Sequence, residues 1–127
     1  MLPKVHRIGA EKEFNDVFRK GYFLRSVFFT AKIAKNDRGV VRFGFVVSKK
    51  IAQKATDRNL IKRRLSEAVK FFLGKLKDGY DIVIVAQPPI VGKGFEEIKE
   101  EIRNLFCKGR LLYSKSDHAL HNRTMEQ

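Results

Sequence analysis

The stretch VVRFGFVVSKKIAQKATDRNLIKRRLSEAVKFFLGKL, residues 40–76, decides the predicted fold because its apolar period changes once along its length. The first part alternates as a half-buried strand does, and the last part has a helical period. The residues of the strand's buried face are Val41, Phe43, Phe45 and Val47. The apolar residues of the helix are Ile61, Leu65, Ala68, Val69, Phe72 and Leu76. We predict a strand and then a long helix packed on the sheet, with Thr56 or Asp57 as N-cap and Gly79 marking its end.

The segment that joins this strand to the helix is crowded with positive charge. Residues 49–64, KKIAQKATDRNLIKRR, contain seven Lys or Arg and one acid, Asp57. The basic residues are Lys49, Lys50, Lys54, Arg58, Lys62, Arg63 and Arg64. Like charges this close repel one another and add nothing to folding. We therefore expect the segment to meet a polyanion.

A short helix is predicted over AEKEFNDVFRKG, residues 10–21. Phe14, Val17 and Phe18 have the spacing of one helix face, and Gly21 ends the helix. Aromatic residues in this pattern are most often core residues. Contact with a nucleotide is the alternative for the two Phe rings.

A strand is predicted over SVFFTAKIAK, residues 26–35, because its residues alternate in polarity. One face carries Phe29, Ala31 and Ile33. The other face carries Phe28, Thr30 and Lys32. The turn composition of residues 36–39, NDRG, indicates an antiparallel hairpin with the next strand. An apolar ring beside a polar, basic sheet face suits a stacked nucleotide base, so Phe28 is a candidate contact.

The rest of the chain predicts a buried strand, YDIVIVAQP at residues 80–88, and a final helix closed by Gly109. The apolar face of this helix holds Phe95, Ile98, Ile102, Leu105 and Phe106. The element order is αββαβα, with a short extra strand near residues 22–24. We predict an α+β fold, a small sheet packed by helices, over residues 1–110, and a disordered tail over residues 111–127.

The composition narrows the classes of function. Lys and Arg number 27 against 14 Asp and Glu, a formal net charge of +13, which favours nucleic acid as the partner. A basic surface that only keeps the protein in solution is the alternative. No apolar run approaches the roughly 20 residues of a membrane-spanning helix, and the N-terminus lacks the apolar core of a secretory signal. The single Cys107 cannot form an intramolecular disulfide, which fits a reducing cytoplasm.

One polar arc of the long helix lies away from its apolar residues. It carries Asn59, Lys62, Arg63, Ser66 and Lys70, with Arg58 nearer the core. Lys, Arg and the free N–H groups of a helix N-terminus all bind phosphates, and Asn59 can fix orientation or read a base edge. The alternative is a solvated helix face balanced by Glu67, but one acid does not balance this many bases.

No arrangement of residues points to catalysis or metal binding by the protein itself. His6, His118 and His121 are scattered, and the chain has no HExxH, no CxxC and no clustered Asp/Glu set for a metal. The glycines of VGKGF, residues 91–95, follow a strand but lack the length of a Walker loop, so we interpret the segment as a connection.

Residues 48–69, SKKIAQKATDRNLIKRRLSEAV, resemble the signature of the bacterial ribonuclease P protein component family. That signature is a basic pair after a strand, then Ala-x-x-Arg-Asn-x-x-Lys-Arg leading into a long helix. Here the motif residues are Ala55, Arg58, Asn59, Lys62 and Arg63. The segments LPKVHRI, EFNDVFRKG, RFGFVVSKK and GYDIVIVAQP follow the family's order, so the resemblance covers about residues 2–108. Ala52 departs from the family's usual Gly, and Ser66 from an often basic residue.

The resemblance implies a two-layer α/β sandwich, similar to ribosomal protein S5 domain 2, with a left-handed βαβ crossover. It implies the small subunit of a ribonucleoprotein endoribonuclease, whose catalytic RNA removes the 5′ leader from precursor tRNA. The RNA would perform the hydrolysis, with Mg²⁺ held by the RNA and the substrate. The expected partners are the ribonuclease P catalytic RNA, bound one to one, and precursor tRNA, in the cytoplasm and with no membrane.

The resemblance also places candidate residues in two sites. The residues expected to bind the catalytic RNA are Lys49, Lys50, Lys54, Arg58, Asn59, Lys62, Arg63 and Arg64. The leader cleft, between the first helix and the sheet, would hold Phe14 and Phe18, which match family positions. Strand alternation adds Phe28, Thr30 and Lys32. Two other classes stay open: a ribosomal-type RNA-binding protein with no processing role, and a self-sufficient nuclease, which the missing carboxylate or His cluster disfavours.

Overall fold

The structure, a computed structural model, describes residues 2–112, which form a four-stranded sheet, three α-helices and short 3₁₀ turns. The elements in chain order are α1 (Glu11–Lys20), β1 (Tyr22–Arg25), β2 (Phe29–Lys35), β3 (Arg42–Val46), α2 (Ala55–Phe72), β4 (Tyr80–Ala86) and α3 (Phe95–Lys108). This order confirms the predicted α+β class and the predicted sequence of elements, including the extra strand near residues 22–24.

Strand β4 lies inside the sheet, between β2 and β3. The strand order is β1-β2-β4-β3, with β4 antiparallel to β2 and parallel to β3. The predicted hairpin of β2 and β3 is therefore wrong. The reason is that β4 is buried on both faces over most of its length, and such a strand is most stable in the middle of a sheet. β3, α2 and β4 form the parallel βαβ unit that the resemblance implies, and its left hand stays a prediction.

The main core lies between one face of the sheet and the pair of helices α2 and α3. The predicted apolar faces of β2, β3, α2 and α3 all contribute to it. The ring of Phe106 on α3 lies 6.0 Å from that of Phe43 on β3 and 5.7 Å from that of Phe72 on α2. Three elements thus meet around one aromatic side chain, and together these layers form the predicted two-layer sandwich.

The opposite face of the sheet carries α1 and a much smaller core. Val17 of α1 is buried there with Ile8 and with Val83 of β4. The Phe14 ring rests on Gly44 of β3 so closely that a Cβ atom at that glycine would lie 2.3 Å from the ring. A larger residue at Gly44 would displace this ring. α1 therefore adds a partial third layer, which the two-layer prediction did not include.

A buried arginine ties α1 to this face. Arg42 donates from Nε and Nη2 to the two carboxylate oxygens of Asp81, at 2.8 and 2.7 Å, and from Nη1 to Glu13 of α1. Glu13 also accepts from the backbone N–H of Ala10, and Asn36 donates to Asp81. The hydrogen bond from Arg42 holds the pKa of Glu13 below its usual value, while Asp81 raises the pKa of Arg42. Glu13 and Arg42 therefore both stay charged at neutral pH.

The C-terminal end of α2 differs from the prediction. The helix ends at Phe72, earlier than predicted, because Leu76 leaves the helical path and pairs in a β-bridge with Leu112. Both Leu76 and Leu111 are buried in the main core. The fold thus includes the first two residues of the predicted tail, and the rest of that tail, residues 113–127 with two of the three histidines, lies outside the described residues.

Replacing Glu13 by Gln removes the charge that Arg42 faces on α1 and keeps the side-chain shape. We expect the free energy of unfolding to fall by about 1 to 2 kcal/mol at neutral pH, because a partly buried ion pair becomes a hydrogen bond from Arg42 to an uncharged amide. Because the folded-state pKa of Glu13 is lowered, the difference should persist above about pH 4.3, the ordinary pKa of glutamate, and vanish as the pH falls further through the lowered value.

Urea unfolding of both proteins over this pH range measures the difference. The control is Glu11→Gln, which removes an exposed carboxylate from the same helical turn. An equal loss of stability in both variants would show that the contact of Glu13 with Arg42 contributes nothing specific to the free energy of unfolding.

Candidate nucleic-acid interface

Helix α2 presents an exposed row of polar and basic side chains, which we call the basic arc. Its members are Asn59, Lys62, Arg63 and Lys70. They are exposed, as the helical period predicted, because α2 is held to the sheet by its opposite face. Ser66 was predicted to belong to the same arc, but it is 9% exposed. Ser66 lines a groove beside β3 that Lys62 and Arg63 also border, but unlike them it is buried.

Two arginines of the same run have partners within the fold. The Arg58 guanidinium donates to the backbone carbonyls of Ala52 and Gln53, at 3.0 and 2.6 Å, and closes the loop before α2. Arg64 donates to the carbonyl of Lys93 at 2.7 Å and joins α2 to the start of α3. Both arginines were predicted to bind RNA, and the structure gives each of them a structural contact that the sequence did not indicate.

The N-terminus of α2 is open. The predicted N-caps, Thr56 and Asp57, lie inside the first turn, because the helix already begins at Ala55 with Lys54 before it. No side chain caps the helix, which leaves its first backbone N–H groups for water or an anion. The exposed basic residues of the preceding loop are Lys49, Lys50 and Lys54.

A groove of about 610 Å³ lies along β3, beside the basic arc, and we call it the β3 groove. Its apolar lining includes Leu2, Ile8, Phe14, Phe43, Phe45 and Leu60. Its polar and basic lining includes Arg7, Thr56, Asn59, Lys62, Arg63 and Ser66. The backbone N–H of Ile8 donates to the carbonyl of Phe43 at 2.9 Å, which fixes the N-terminal segment along the strand. An aromatic interior bordered by cations suits a nucleotide, whose base is apolar and whose phosphate is charged.

Three more of the predicted cleft residues lie on the sheet face that α1 crosses. Phe18 of α1 is 40% exposed. Thr30 and Lys32 are half-buried on β2, and their strand partners Val85 and Val83 belong to the small core beneath α1. The structure thus brings these residues and Phe14 to one side of the sheet, and their contact with a leader stays a prediction.

Phe28 was predicted to share that side, and this prediction is wrong. Its ring packs against the main core on the opposite face, and the Lys93 ammonium lies 5.7 Å from the ring centroid. The alternation fails here because residues 27–28 form a bend and β2 begins only at Phe29.

The structure adds an aromatic residue that the sequence analysis did not select. Phe23 lies on β1 directly opposite Lys32 and is 47% exposed. The Arg25 guanidinium and the Lys32 ammonium each lie 5.6 Å from its ring centroid. Alternation within β1, which puts Phe23 and Arg25 on one face, is the signal in the sequence that indicates this residue. A strand of four residues is too short for alternation alone to predict a site.

The described residues offer charge, hydrogen bonds and aromatic faces for recognition. Within residues 2–112 no group of three or more His, Cys, Asp or Glu side chains could hold a metal ion. His6 donates from Nδ1 to the backbone carbonyl of Val41 at 2.7 Å and so helps to fix the N-terminal segment beside β3. No helix in this part of the chain is both long enough and apolar enough to cross a bilayer.

Comparison with known proteins points to one family. The chain matches the protein-family model described as Ribonuclease P over residues 2–109. It is 38% identical over 111 residues to the ribonuclease P protein component of Syntrophomonas wolfei, covering 87% of this chain and 92% of that protein. It is 31% identical over 114 residues to the one from Pseudanabaena sp., covering 89% and 98%.

Solved structures share the fold. The ribonuclease P protein from Thermotoga maritima has a TM-score of 0.72 at 29% identity, covering 78% of this chain and 93% of that chain. A Staphylococcus aureus ribonuclease P protein, a mutant described as defective in mRNA degradation activity, has a TM-score of 0.79 at 24% identity, covering 86% and 92%. The second likeness concerns the fold alone, and both agree with the α+β architecture.

Arg63 and Arg64 are neighbours with the same charge, so they form a matched test of the basic arc. We expect Arg63→Ala to flatten the log–log salt dependence of RNA binding by about 0.7 to 0.9, because one phosphate contact is lost, and to leave the melting temperature unchanged. We expect Arg64→Ala to destabilise the fold by about 1 kcal/mol, because the hydrogen bond to Lys93 is lost. Salt titrations and thermal unfolding measure the two effects, and equal slope changes in both variants would count against the basic arc.

Proposed function

Since this chain belongs to the ribonuclease P protein family, we propose that it is the protein subunit of a ribonuclease P ribonucleoprotein that matures tRNA in the cytoplasm. It binds one copy of the catalytic RNA and holds the 5′ leader of precursor tRNA. The RNA removes that leader by endonucleolytic hydrolysis. The Mg²⁺ that hydrolysis needs is held by the RNA and the substrate.

The observation that supports this proposal is the presence of two kinds of surface on the same turns of α2. Lys62 and Arg63 are exposed to solvent and also border the β3 groove, where Phe14 and Phe45 provide aromatic side chains. Lysine and arginine neutralise the phosphates of a folded RNA, whereas aromatic rings stack on unpaired bases. A subunit that holds a structured RNA and a single-stranded leader at the same time needs both surfaces side by side.

The path of the leader follows from the position of α1. From the β3 groove the leader runs along the sheet face that α1 crosses, past the exposed ring of Phe18 and the side chains of Thr30 and Lys32 on β2. These contacts do not depend on the identity of the base, since every base has a π-face and every nucleotide a phosphate. A subunit of this kind therefore accepts leaders of many sequences.

The test is to mix the purified protein with precursor tRNA and Mg²⁺, with and without a bacterial ribonuclease P RNA. At low salt and low Mg²⁺ we expect cleavage at the mature 5′ end only when both subunits are present, because the net charge of +13 offsets the repulsion between two RNAs. A ribosomal-type protein would bind RNA and leave the precursor intact, and a self-sufficient nuclease would cleave it without the RNA subunit. Either result would overturn the proposal.

Phe18→Ala tests the leader contact on α1. We expect the holoenzyme to lose about 1 to 3 kcal/mol of binding free energy for precursor tRNA, because a stacked base loses its aromatic partner. Mature tRNA has no leader, so its affinity should hardly change. Dissociation constants for both RNAs, measured together with the melting temperature, give the answer.

The matched control is Val17→Ala on the same helix. Val17 is buried in the small core beneath α1, so its truncation should lower the melting temperature and affect both RNAs alike through the unfolded fraction. If Phe18→Ala reproduces that pattern, with an unchanged ratio of precursor to mature affinity, Phe18 is a structural residue and does not contact the leader.

A further inference from the structure

The edge strand β1 carries an exposed aromatic ring with two cations close to it. Phe23 is opposite Lys32, and Arg25 is opposite Thr30, so all four side chains lie on the sheet face that α1 crosses. The ring of Phe23 is 5.6 Å from the Arg25 guanidinium and 5.6 Å from the Lys32 ammonium. This group lies at the β1 edge of the sheet, the edge farthest from the β3 groove.

Packing does not account for the position of this ring. The neighbours of Phe23 point to the other face, where Leu24 packs on the main core and the Tyr22 hydroxyl approaches the carbonyl of Gly109. Phe23 belongs to neither core cluster. Exposed Val27 and Pro88 extend the apolar surface around it and line the same depression. An apolar patch on an edge strand is a hazard for aggregation, which indicates that a ligand covers it.

The chemistry of the group selects the ligand. A phenyl ring stacks on a base, while a guanidinium and an ammonium beside it bind the phosphates on either side of that base. An acidic protein segment would also meet the two cations, but it has no planar base for the ring. The formal charge of +13 and the shared sheet face with Phe18 favour a single strand of nucleic acid.

Continuity with the proposed leader path locates the nucleotide. The strand order β3-β4-β2-β1 places three strand spacings, roughly 14 Å, between the β3 groove and the strand of Phe23. Thr30 and Lys32 of β2 lie between them. Since α2 faces the catalytic RNA in the proposed function, the β1 edge is the end farther from the cleavage site.

We propose that Phe23, with Arg25 and Lys32, binds a nucleotide of the leader upstream of those held by α1 and the β3 groove. This inference rests on the proposed function and extends it. If it is correct, the affinity of the holoenzyme for precursor tRNA keeps rising with leader length after the contacts of α1 are filled.

The experiment uses the holoenzyme and precursor tRNAs whose leaders grow one nucleotide at a time. With the unmodified protein we expect the affinity to rise with each added nucleotide and then to level off. With Phe23→Ala, the affinity should level off at a shorter leader. This variant should bind precursors with the longest leaders about five- to a hundredfold more weakly. Binding of the shortest leaders and of mature tRNA should be unchanged, and the melting temperature should be preserved.

Two further variants separate stacking from apolar contact. Phe23→Trp keeps a π-face and should retain the dependence on long leaders. Phe23→Leu keeps an apolar side chain without a π-face and should lose that dependence. Full retention by Phe23→Leu, or an equal weakening of Phe23→Ala at every leader length, would overturn the inference.

The outcome is distinguishable from a failure of the proposed function. If the unmodified holoenzyme cleaves precursor tRNA and prefers long leaders, while Phe23→Ala behaves identically at every length, only the Phe23 site is rejected. If the unmodified protein gives no cleavage together with the RNA subunit, the proposed function itself is rejected.

Discussion

The buried guanidinium of Arg42, shared by Asp81 and Glu13, is the interaction on which the position of α1 depends. A charge taken out of water costs several kcal/mol unless each of its donors is paired. Asp81 on β4 supplies two of the acceptors and Glu13 on α1 supplies the third, so few placements of α1 satisfy the arginine. The apolar core beneath α1 is small, with Ile8, Val17 and Val83 buried. Apolar burial alone would therefore hold α1 less firmly than it holds α2 and α3. The ionic network fixes the position of α1 on the sheet.

The position of α1 in turn shapes the surface that we assign to RNA. With Glu13 held by Arg42, the next residue, Phe14, lies on Gly44, where the lack of a side chain lets the ring approach the strand. That contact forms one side of the β3 groove, and Lys62 of α2 stands on its border. One salt-bridge network thus connects the packing of the small core with the placement of aromatic and basic groups beside each other.

The charged run on α2 contains arginines that support the fold and basic residues that we propose bind RNA. The guanidinium groups of Arg58 and Arg64 donate hydrogen bonds to backbone carbonyls. These bonds hold the loop before α2 and the start of α3. Lys62 and Arg63 lie between them in sequence and are exposed. Their like charges repel each other, and binding of a polyanion would neutralise this repulsion. We therefore expect loss of Arg58 or Arg64 to destabilise the fold, and loss of Lys62 or Arg63 to weaken the proposed RNA binding.

The sequence by itself determined the helices, the strands and the main core, because side chains such as Leu65 and Phe106 must follow the 3.6-residue period of a helix to reach a common face. It also determined the basic arc and the family, since these depend on local spacing. Only the tertiary structure decided that β4 separates β2 from β3, that Ser66 turns into a groove, and that Phe28 joins the opposite core. The same is true of the meeting of Phe23 with Lys32 across two strands. Local periodicity states which side chains share a face of one element, whereas the order of strands and the rotation of a helix depend on contacts between residues far apart in the chain.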